Sequence, residues 1–452
     1  MGSGAFNSVG GDVAEMPHLK RQLHEAERTR DAAVESERLS EFARASKREG
    51  PASLADAWAR LVDRGLPLVE RIRGDAASFR VTFVWRPDSP VKTPSIYTPV
   101  ANVLSGESQL LPLGTTGVWY RSLLLPRGTR GLYAFSSHPT PDPSNGGDWG
   151  AYFRSLVPDP HGPIRLEMEK DPDDPDDAAA SVSGFSLPGA PAQPWVTPEP
   201  SPTWTVESDL LRGRSLPGAR RVWMYTPEGF DPRHRSYNLL LALDGVAYRS
   251  LVPTPAIVQY LVSRRAIGPT ALVFVGNAVG AREVELLHNP GFVKFLTSDV
   301  LPWVRRRFHL RSDPEQTVIA GSSLGGLTAA YAALLAPQVF GGVLAQSGAF
   351  SWAGTDGMMG SPALMQEYAR APLRSTRFYL SAGSLETVVF PGTQTSLLSG
   401  VRHLRDVLIA KGYSVRYEEF RAGHDYFSWS DSMAQGLAHL LRSPAPRGRA
   451  RR

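Results

Sequence analysis

Five residues, Gly321-Ser322-Ser323-Leu324-Gly325, carry the clearest chemical signal in the chain. A serine with a glycine two positions before and after it, G-x-S-x-G, is typical of a nucleophile elbow, a sharp turn that raises the serine hydroxyl above the edge of a sheet. The small residues let the strand before the turn and the helix after it approach closely. Ser323 is therefore the candidate nucleophile, and the N–H of Leu324 is a candidate donor to an oxyanion.

A serine hydroxyl becomes a good nucleophile only when a base accepts its proton, and an elbow serine takes its acid and its histidine from later in the chain. His424 follows the last predicted strand, in a loop that Gly423 makes flexible, and it is the candidate base. Glu386 is the only carboxylate in the loop 382–387 and is the candidate acid that orients the imidazole. Asp425 lies too close to His424 in sequence for that role and is expected to bond to backbone groups of its loop.

The second donor to an oxyanion is expected in the loop after an early strand of the same sheet. The apolar run Leu239–Leu243 predicts such a strand, and the turn begins directly after it. The N–H of Gly245 or Val246 is the candidate donor, and Asp244 is expected to shape the turn.

Composition limits the classes of protein to which the chain can belong. It has 452 residues, enough for two domains, and no cysteine, which excludes disulfides, thiolate metal sites and a cysteine nucleophile. No apolar run approaches the ~18 residues of a membrane helix and no secretory signal is evident, so we expect no membrane insertion and a cytoplasmic location. The net charge of +5 is modest and no aromatic residues interleave the basic tail, so no nucleic-acid partner is expected.

The elements that must position these residues follow two patterns. Residues 51–170 contain short segments in which apolar and polar residues alternate, separated by turn residues. This pattern predicts a small β-sandwich with strands that include Phe79–Arg86, Gly117–Pro126 and Arg130–Ser136. Residues 203–441 alternate apolar strands with helices, which predicts an α/β fold with a mostly parallel sheet covered on both faces. With the elbow in place, the fold class is an α/β-hydrolase preceded by a β-sandwich domain.

The strands and helices of residues 203–441 are predicted in chain order. The strands are Arg221–Tyr225, Leu239–Leu243, Ala271–Gly276, Thr317–Ala320, Gly342–Gln346, Arg377–Ser381 and Val415–Phe420, and the helices include Pro255–Ser263, Phe292–Phe308 and Ser399–Lys411. Three segments complete the chain. They are a polar, helical and partly disordered extension at 1–50 with too few apolar residues to bury much surface, an acidic proline-rich linker at 171–202, and a basic disordered tail at 442–452.

A longer series of segments adds a resemblance to the elbow pattern. The segments are Gly65-Leu-Pro-Leu-Val-Glu, Val81-Thr-Phe-Val-Trp-Arg, Val118-Trp, Tyr133-Ala-Phe, Asp159-Pro-His-Gly-Pro, Leu243-Asp-Gly, Arg282-Glu-Val-Glu-Leu, Leu301-Pro-Trp, Gly321-Ser-Ser-Leu-Gly-Gly-Leu, Gln346-Ser-Gly-Ala-Phe-Ser-Trp, Ala382-Gly-Ser-Leu-Glu and Gly423-His-Asp-Tyr-Phe-Ser-Trp. In this order and spacing the chain resembles the enterochelin (enterobactin) esterase family. The first 50 residues have no counterpart in that resemblance.

The resemblance implies a serine esterase that hydrolyses the ester bonds of a ferric tris-catecholate trilactone siderophore and so releases iron. The family's serine, histidine and acid correspond to Ser323, His424 and Glu386. No protein cofactor or metal site is implied, because the iron arrives with the small-molecule substrate. A substrate with a charge near −3 favours a basic cleft, for which Arg282 is the candidate in its matching segment. An ordinary surface salt bridge is the alternative for Arg282.

Aromatic residues in two other matching segments are candidates for stacking on the catechol rings. They are Trp352 and Trp429, and packing beneath the site is the alternative for both.

Other functions remain open at this point. A feruloyl or polysaccharide esterase of the same fold, with the β-sandwich as a carbohydrate-binding module, is one alternative, although such enzymes need a secretion signal. An acyltransferase would use the same serine with an alcohol in place of water. A non-catalytic scaffold is a third, but it gives no reason for Ser323, His424 and Glu386 to occur in order. The oligomeric state is left open.

Overall fold

The computed structural model describes residues 36–48, 50–101, 106–141, 148–196, 203–214, 216–233, 236–310, 313–351, 363–389 and 395–442. Within these ranges sixteen strands form one eight-stranded sheet and two four-stranded sheets. The two small sheets come first in the chain, and the large sheet follows. Most of the predicted extension at 1–50 and of the predicted tail at 442–452 lies outside the described residues.

The two small sheets are antiparallel and face each other, as the alternating pattern predicts. One sheet has the order β1-β2-β5-β4 and the other β3-β6-β8-β7. Their strands are β1 Leu68–Ile72, β2 Asp75–Trp85, β3 Ser95–Tyr97, β4 Leu111–Pro112, β5 Trp119–Pro126, β6 Arg130–Ser136, β7 Ile164–Met168 and β8 Ala180–Ser186. Aromatic rings fill the space between the sheets, with Phe83 on β2 lying 4.8 Å from Tyr133 on β6 and 5.5 Å from Phe185 on β8. The predicted β-sandwich is confirmed.

Strand β8 corrects the predicted linker at 171–202. Its residues 180–186 pair with β6 on one side and β7 on the other, so they belong to the interior of a sheet. In the sequence Ala-Ser-Val-Ser-Gly-Phe-Ser, apolar and polar residues alternate only weakly, and the segment follows a run of aspartates and prolines. For both reasons the strand was not predicted. The acidic stretch before β8 is attached to the large sheet, because Asp173 forms an ion pair with Arg221 at 2.6 Å.

Two helices, α1 Glu37–Arg48 and α2 Gly50–Asp63, pack against the outer surface of the first small sheet. Leu39 and Phe42 of α1 are buried in a cluster with Leu61, Leu68 and neighbouring residues. For residues 36–48, the described part of the extension, this corrects the prediction that the first 50 residues bury little. The few apolar residues of α1 lie on one face of the helix, so a low apolar content still supplies a contact surface.

The large sheet is parallel except at one edge. Its order is β16-β15-β14-β13-β11-β12-β10-β9, and β10 is antiparallel to both of its neighbours. The strands are β9 Trp204–Arg212, β10 Ala219–Pro227, β11 Asn238–Leu243, β12 Thr270–Val275, β13 Thr317–Ser322, β14 Gly342–Gln346, β15 Arg377–Gly383 and β16 Ser414–Phe420. Seven of these strands correspond to the predicted ones, while β9 was not predicted because most of its residues face solvent at the sheet edge.

Helices cover both faces of the large sheet, which is why its central strands read as continuous apolar runs. The remaining helices are α3 Trp149–Arg154, α4 Gly245–Arg249, α5 Thr254–Ser263, α6 Arg282–Leu286, α7 Pro290–Phe295, α8 Leu301–Phe308, α9 Leu324–Leu335, α10 Ala363–Arg370, α11 Leu397–Lys411 and α12 Tyr426–Leu440. The predicted helix Phe292–Phe308 is divided, since a π-helical turn at Leu296–Val300 separates α7 from α8. Among the described residues, no helix has the length and apolar character needed to cross a bilayer.

Substitution of Phe42 by alanine tests the packing of α1. Because Phe42 is buried in the cluster beneath α1, Phe42→Ala is expected to lower the free energy of unfolding by about 3 kcal/mol, as for other buried phenylalanines. Chemical denaturation provides the measurement, and Ile409→Ala, an exposed apolar position on α11, should change it by less than about 0.5 kcal/mol. Equal stability of the Phe42 variant and the wild type would contradict the packing.

Candidate active site

The turn between β13 and α9 has the geometry of a nucleophile elbow. Ser323 adopts φ 55° and ψ −122°, a conformation that non-glycine residues rarely occupy. A Cβ atom on Gly321 would lie 2.6 Å from the backbone of Gly325, so no larger residue fits between strand and helix. The strained backbone of the serine therefore follows from the close approach that the two glycines permit.

Backbone hydrogen bonds fix the strained serine to the neighbouring strand. The N–H of Ser323 donates to the carbonyl of Gln346 on β14 at 3.0 Å, and its own carbonyl accepts from Ala349 at 3.0 Å. Leu324 is the first residue of α9, where backbone N–H groups have no partner within the helix. Its N–H is thus available at the helix N-terminus, beside the serine.

His424 and Glu386 are brought into contact by the ends of β15 and β16. The imidazole Nδ1 lies 2.7 Å from Oε1 of Glu386, and the glutamate Oε2 accepts a bond from the N–H of Gly383 at 3.1 Å. The Glu386 side chain is 1% exposed, whereas that of His424 is 30% exposed. The buried carboxylate of Glu386 therefore contacts one ring nitrogen of a partly exposed histidine that lies 38 residues later in the sequence.

Sheet register places the elbow and this pair at one edge. Ser322 is aligned with Gln346 on β14, and Gln346 with Ser381 on β15. Because these strands are parallel, the loops that follow them leave from the same edge of the sheet. Ser323 follows directly after the aligned row, and the loops that carry Glu386 and His424 begin within a few residues of it.

Trp429 supports the histidine from below. Its ring lies 4.9 Å from the His424 ring in an edge-to-face contact, and its Nε1 donates to Ser347 Oγ at 3.0 Å. Only 5% of the residue is exposed. This position corrects the prediction that Trp429 stacks on the substrate, because no ring face is open to a ligand. Trp352, the other predicted stacking residue, lies outside the described residues.

The loop that carries His424 is pressed against the β-sandwich. A Cβ atom on Gly423 would lie 2.0 Å from the carbonyl oxygen of Pro99, which follows β3, so only glycine permits this contact. Arg130 on β6 donates its backbone N–H to the carbonyl of Arg421 at 3.1 Å. Its buried guanidinium forms an ion pair with Asp431 on α12. The small domain therefore fixes the position of the loop that carries His424.

Asp425 caps the helix that follows His424. Its Oδ1 accepts from the N–H of Ser428 at 2.9 Å, as predicted for a carboxylate that bonds to backbone groups. The side chain is buried, and Oδ2 has no hydrogen-bond partner among the described residues. Burial raises the pKa of Asp425 to about 7, and the nearby Glu386 adds to the rise.

The turn after β11 presents the other predicted oxyanion donors. Asp244 has φ 53° and ψ 53°, and the N–H groups of Gly245 and Val246 open the short helix α4. The guanidinium of Arg282 on α6 holds Asp244 in a bidentate pair, with Nε to Oδ1 at 2.6 Å and Nη2 to Oδ2 at 2.8 Å. Arg282 is therefore not an uncompensated charge, although 41% of its side chain remains exposed.

Two family models match the chain. One, described as "Enterochelin esterase, N-terminal", matches residues 80–196, and the other, described as "Putative esterase", matches residues 213–440. Together they cover both the β-sandwich and the large sheet with its elbow. The chain belongs to the enterochelin esterase family. It is a carboxylic ester hydrolase, and the predicted α/β-hydrolase fold behind a β-sandwich is confirmed.

Named relatives and solved structures resemble the esterase over most of its length. It is 26% identical over 445 residues to the iron(III) enterobactin esterase of Dickeya dadantii, with 89% of this chain and 96% of that protein aligned. The crystal structure of ferric enterobactin esterase from Salmonella typhimurium matches with a TM-score of 0.70 at 26% identity, covering 85% of this chain and 98% of that one. The enterobactin esterase of Shigella flexneri, crystallised in the presence of enterobactin, matches with a TM-score of 0.69 at 26% identity, covering 87% and 98%.

Gln346 is a residue of the esterase's site that sequence reasoning missed. Its buried amide accepts from the hydroxyl of Tyr248 on α4 at 2.6 Å and donates to the carbonyl of Trp429 on α12 at 2.6 Å. It thereby connects the helix of the oxyanion turn to the helix beneath His424, while its own backbone binds Ser323. The available signal was a polar residue at the end of an otherwise apolar buried strand.

Substitution of Asp425 by asparagine is expected to have a pH-dependent effect on stability. The folded-state pKa of Asp425, about 7, lies above the ordinary aspartate value of about 4, so the folded protein retains a proton that the unfolded chain has lost. The stability contributed by this proton is present below about pH 4 and is lost as the pH rises to about 7. An asparagine at this position would still cap the helix and would carry no charge.

The measurement is the melting temperature of both proteins from pH 4 to pH 9. The difference, Asp425→Asn minus wild type, should rise between about pH 4 and pH 7 and stay constant above that range. A difference that does not change with pH would show that the buried carboxyl keeps an ordinary pKa.

The pair of Arg282 and Asp244 is expected to act on turnover through the oxyanion turn. Arg282→Gln and Asp244→Asn should each lower kcat on the small neutral ester p-nitrophenyl acetate, by roughly 10-fold for a displaced oxyanion donor. Because the two side chains form one unit, the double variant should be little worse than either single variant.

The matched control is Arg402→Gln, since Arg402 forms a similar half-exposed bidentate pair with Glu419 far along the chain from the turn. Its kcat should equal that of the wild type. Additive losses in the Arg282 and Asp244 variants would show that the two residues act independently.

Proposed function

We propose that the esterase hydrolyses the ester bonds of a ferric catecholate trilactone siderophore such as enterobactin, with Ser323, His424 and Glu386 as its catalytic triad. The observation that carries the proposal is the 2.7 Å contact between Glu386 and His424 at the sheet edge that also bears the Ser323 elbow. The near full-length similarity to proteins named iron(III) enterobactin esterase supports the substrate class.

The first half-reaction forms an acyl-enzyme. His424 Nε2 takes the proton of Ser323 as Oγ attacks the ester carbonyl, and the carbonyl oxygen becomes an oxyanion. When the tetrahedral intermediate collapses, the bond to the alcohol oxygen breaks and His424 returns the proton to that oxygen. Glu386 holds Nδ1–H in place throughout, so that Nε2 faces the serine and the imidazolium is stabilised.

The second half-reaction releases the acid. Water gives a proton to His424 and attacks the acyl carbon, and collapse of the second intermediate returns Ser323 Oγ to its protonated form. In both steps the N–H of Leu324, with that of Gly245 or Val246, would stabilise the negative oxygen. In a trilactone, the first cleavage opens the ring without separating the parts.

Arg282 is the candidate contact for the negative charge of the substrate. Its Nε and Nη2 bind Asp244, whereas Nη1 has no hydrogen-bond partner among the described residues and belongs to a side chain that is partly exposed. The iron is part of the substrate, and we propose no resident cofactor. A cytoplasmic location is part of the proposal, and fractionation of cells that express the native gene would test it.

The substrate class is tested by incubation with iron(III) enterobactin, its linear trimer, feruloyl esters and an added alcohol acceptor, with products identified by mass spectrometry. Opening of the trilactone with incorporation of water supports the proposal. Exclusive cleavage of feruloyl esters, or transfer to the alcohol, would replace it with one of the alternative esterase or acyltransferase functions.

Replacement of the triad residues should give graded losses. Ser323→Ala and His424→Ala should each lower kcat by ~10⁴-fold or more, because one removes the nucleophile and the other both base and acid. Glu386→Gln should remain roughly 10- to 100-fold more active than these, since it only orients and stabilises the histidine. Steady-state kinetics on enterobactin and on p-nitrophenyl acetate provides the measurement. A Ser323→Ala enzyme with more than a few per cent of activity would indicate another nucleophile.

A further inference from the structure

We infer that Tyr97, Trp149 and Phe153 form an aromatic face on the β-sandwich that receives a catecholate ring of the substrate. The inference rests on the proposed function and adds a contact that the small domain contributes to the site of the large one. We refer to these three residues as the aromatic face.

The rings of the aromatic face are adjacent and partly open. Phe153 lies 5.3 Å from Tyr97 in an edge-to-face contact and 5.8 Å from Trp149 at an interplanar angle of 37°. Phe153 is 47% exposed, and Trp149 and Tyr97 are partly exposed. Rings in such an arrangement offer both faces and edges to a further planar ring.

The helix that presents these rings is fixed to the sandwich. Tyr152 of α3 is buried, and its hydroxyl bonds to Ser95 Oγ on β3 at 2.9 Å. Asp148 caps the helix by accepting from the N–H of Ala151 at 2.8 Å. The exposed rings are therefore held in place before any ligand binds, which reduces the entropic loss on binding.

The aromatic face lies beside the loop that carries His424. Tyr97 ends β3, and two residues later the carbonyl of Pro99 touches Gly423, which precedes His424. Burial raises the pKa of Tyr97, and the negative charge of the nearby Asp425 carboxyl raises it further. A ligand that contacts His424 and extends toward the sandwich therefore meets Tyr97, whose ring is in contact with Phe153.

The chemistry of the aromatic face fits one arm of the proposed substrate. A catecholate is a planar ring with negative charge on its oxygens, so it can stack on Trp149 or Phe153 while its charge faces a cation. Arg154, exposed on the same helix, supplies a cation on this surface. An ester without an aromatic ring, such as methyl butyrate, has no group to place on the face and should be insensitive to it.

The test uses Trp149→Ala, Phe153→Ala and the double variant of the full chain. On iron(III) enterobactin, KM should rise roughly 2- to 10-fold for each ring removed, with kcat within about twofold of wild type. In a Ser323→Ala background, the dissociation constant for iron(III) enterobactin should rise by the same factor. Kinetics on methyl butyrate, an ester without a ring, should not change. The control is Leu124→Ala, a half-exposed apolar residue on the other sheet of the sandwich.

The outcomes separate this inference from the proposed function. If the wild type opens iron(III) enterobactin but the variants keep its KM and dissociation constant, the aromatic face is not a substrate contact. If the variants lose activity equally on methyl butyrate, the rings support the fold rather than the ligand. If the wild type does not cleave enterobactin, the proposed function fails, and unchanged KM values of the variants on methyl ferulate would then exclude any aromatic ligand at this face.

Discussion

The candidate active site depends first on the contact between the backbones of Gly321 and Gly325. Their close approach forces the intervening serine into a conformation that costs of order 1–3 kcal/mol, and the surrounding sheet must stabilise it. Two backbone hydrogen bonds stabilise this conformation. The N–H of Ser323 donates to the carbonyl of Gln346, and the carbonyl of Ser323 accepts from the N–H of Ala349. Other parts of the site are then arranged around a hydroxyl whose position is already fixed.

Buried polar groups connect the serine turn to the other elements of the site through hydrogen bonds. The amide of Gln346 joins the helix of the oxyanion turn to the helix beneath the histidine, and Glu386 uses one oxygen for His424 and the other for the backbone of Gly383. Each of these groups would be costly to bury alone, and each is satisfied by a partner that the site needs in a defined place. Specific geometry is therefore obtained from contacts that contribute only modest net stability.

The parts of this structure that are local in sequence could be predicted from it. The elbow is five consecutive residues, and the central strands are continuous apolar runs because helices cover both faces of the sheet. Glu386 and His424 could be proposed as a pair because chain order restricts the choice to loops after the late strands, and their contact agrees with that proposal. Contacts between distant segments could not be predicted: nothing in the sequence around Arg282 shows that Asp244 is its partner, and nothing around Gly423 indicates Pro99. The orientation of Trp429 was equally hidden, since an indole can face a ligand or lie beneath the site.

The contact between Gly423 and Pro99 also bears on how the two parts of the chain can change over evolution. The carbonyl of one domain occupies the space that any side chain at the other position would need. Position 423 therefore accepts no side chain unless the two backbones move apart, whichever residue stands at position 99, because every residue carries that carbonyl. Hybrid enzymes assembled from the β-sandwich of one relative and the hydrolase unit of another would keep this contact only where the two backbones approach in the same way, so the two domains are expected to diversify as a single unit rather than as interchangeable modules.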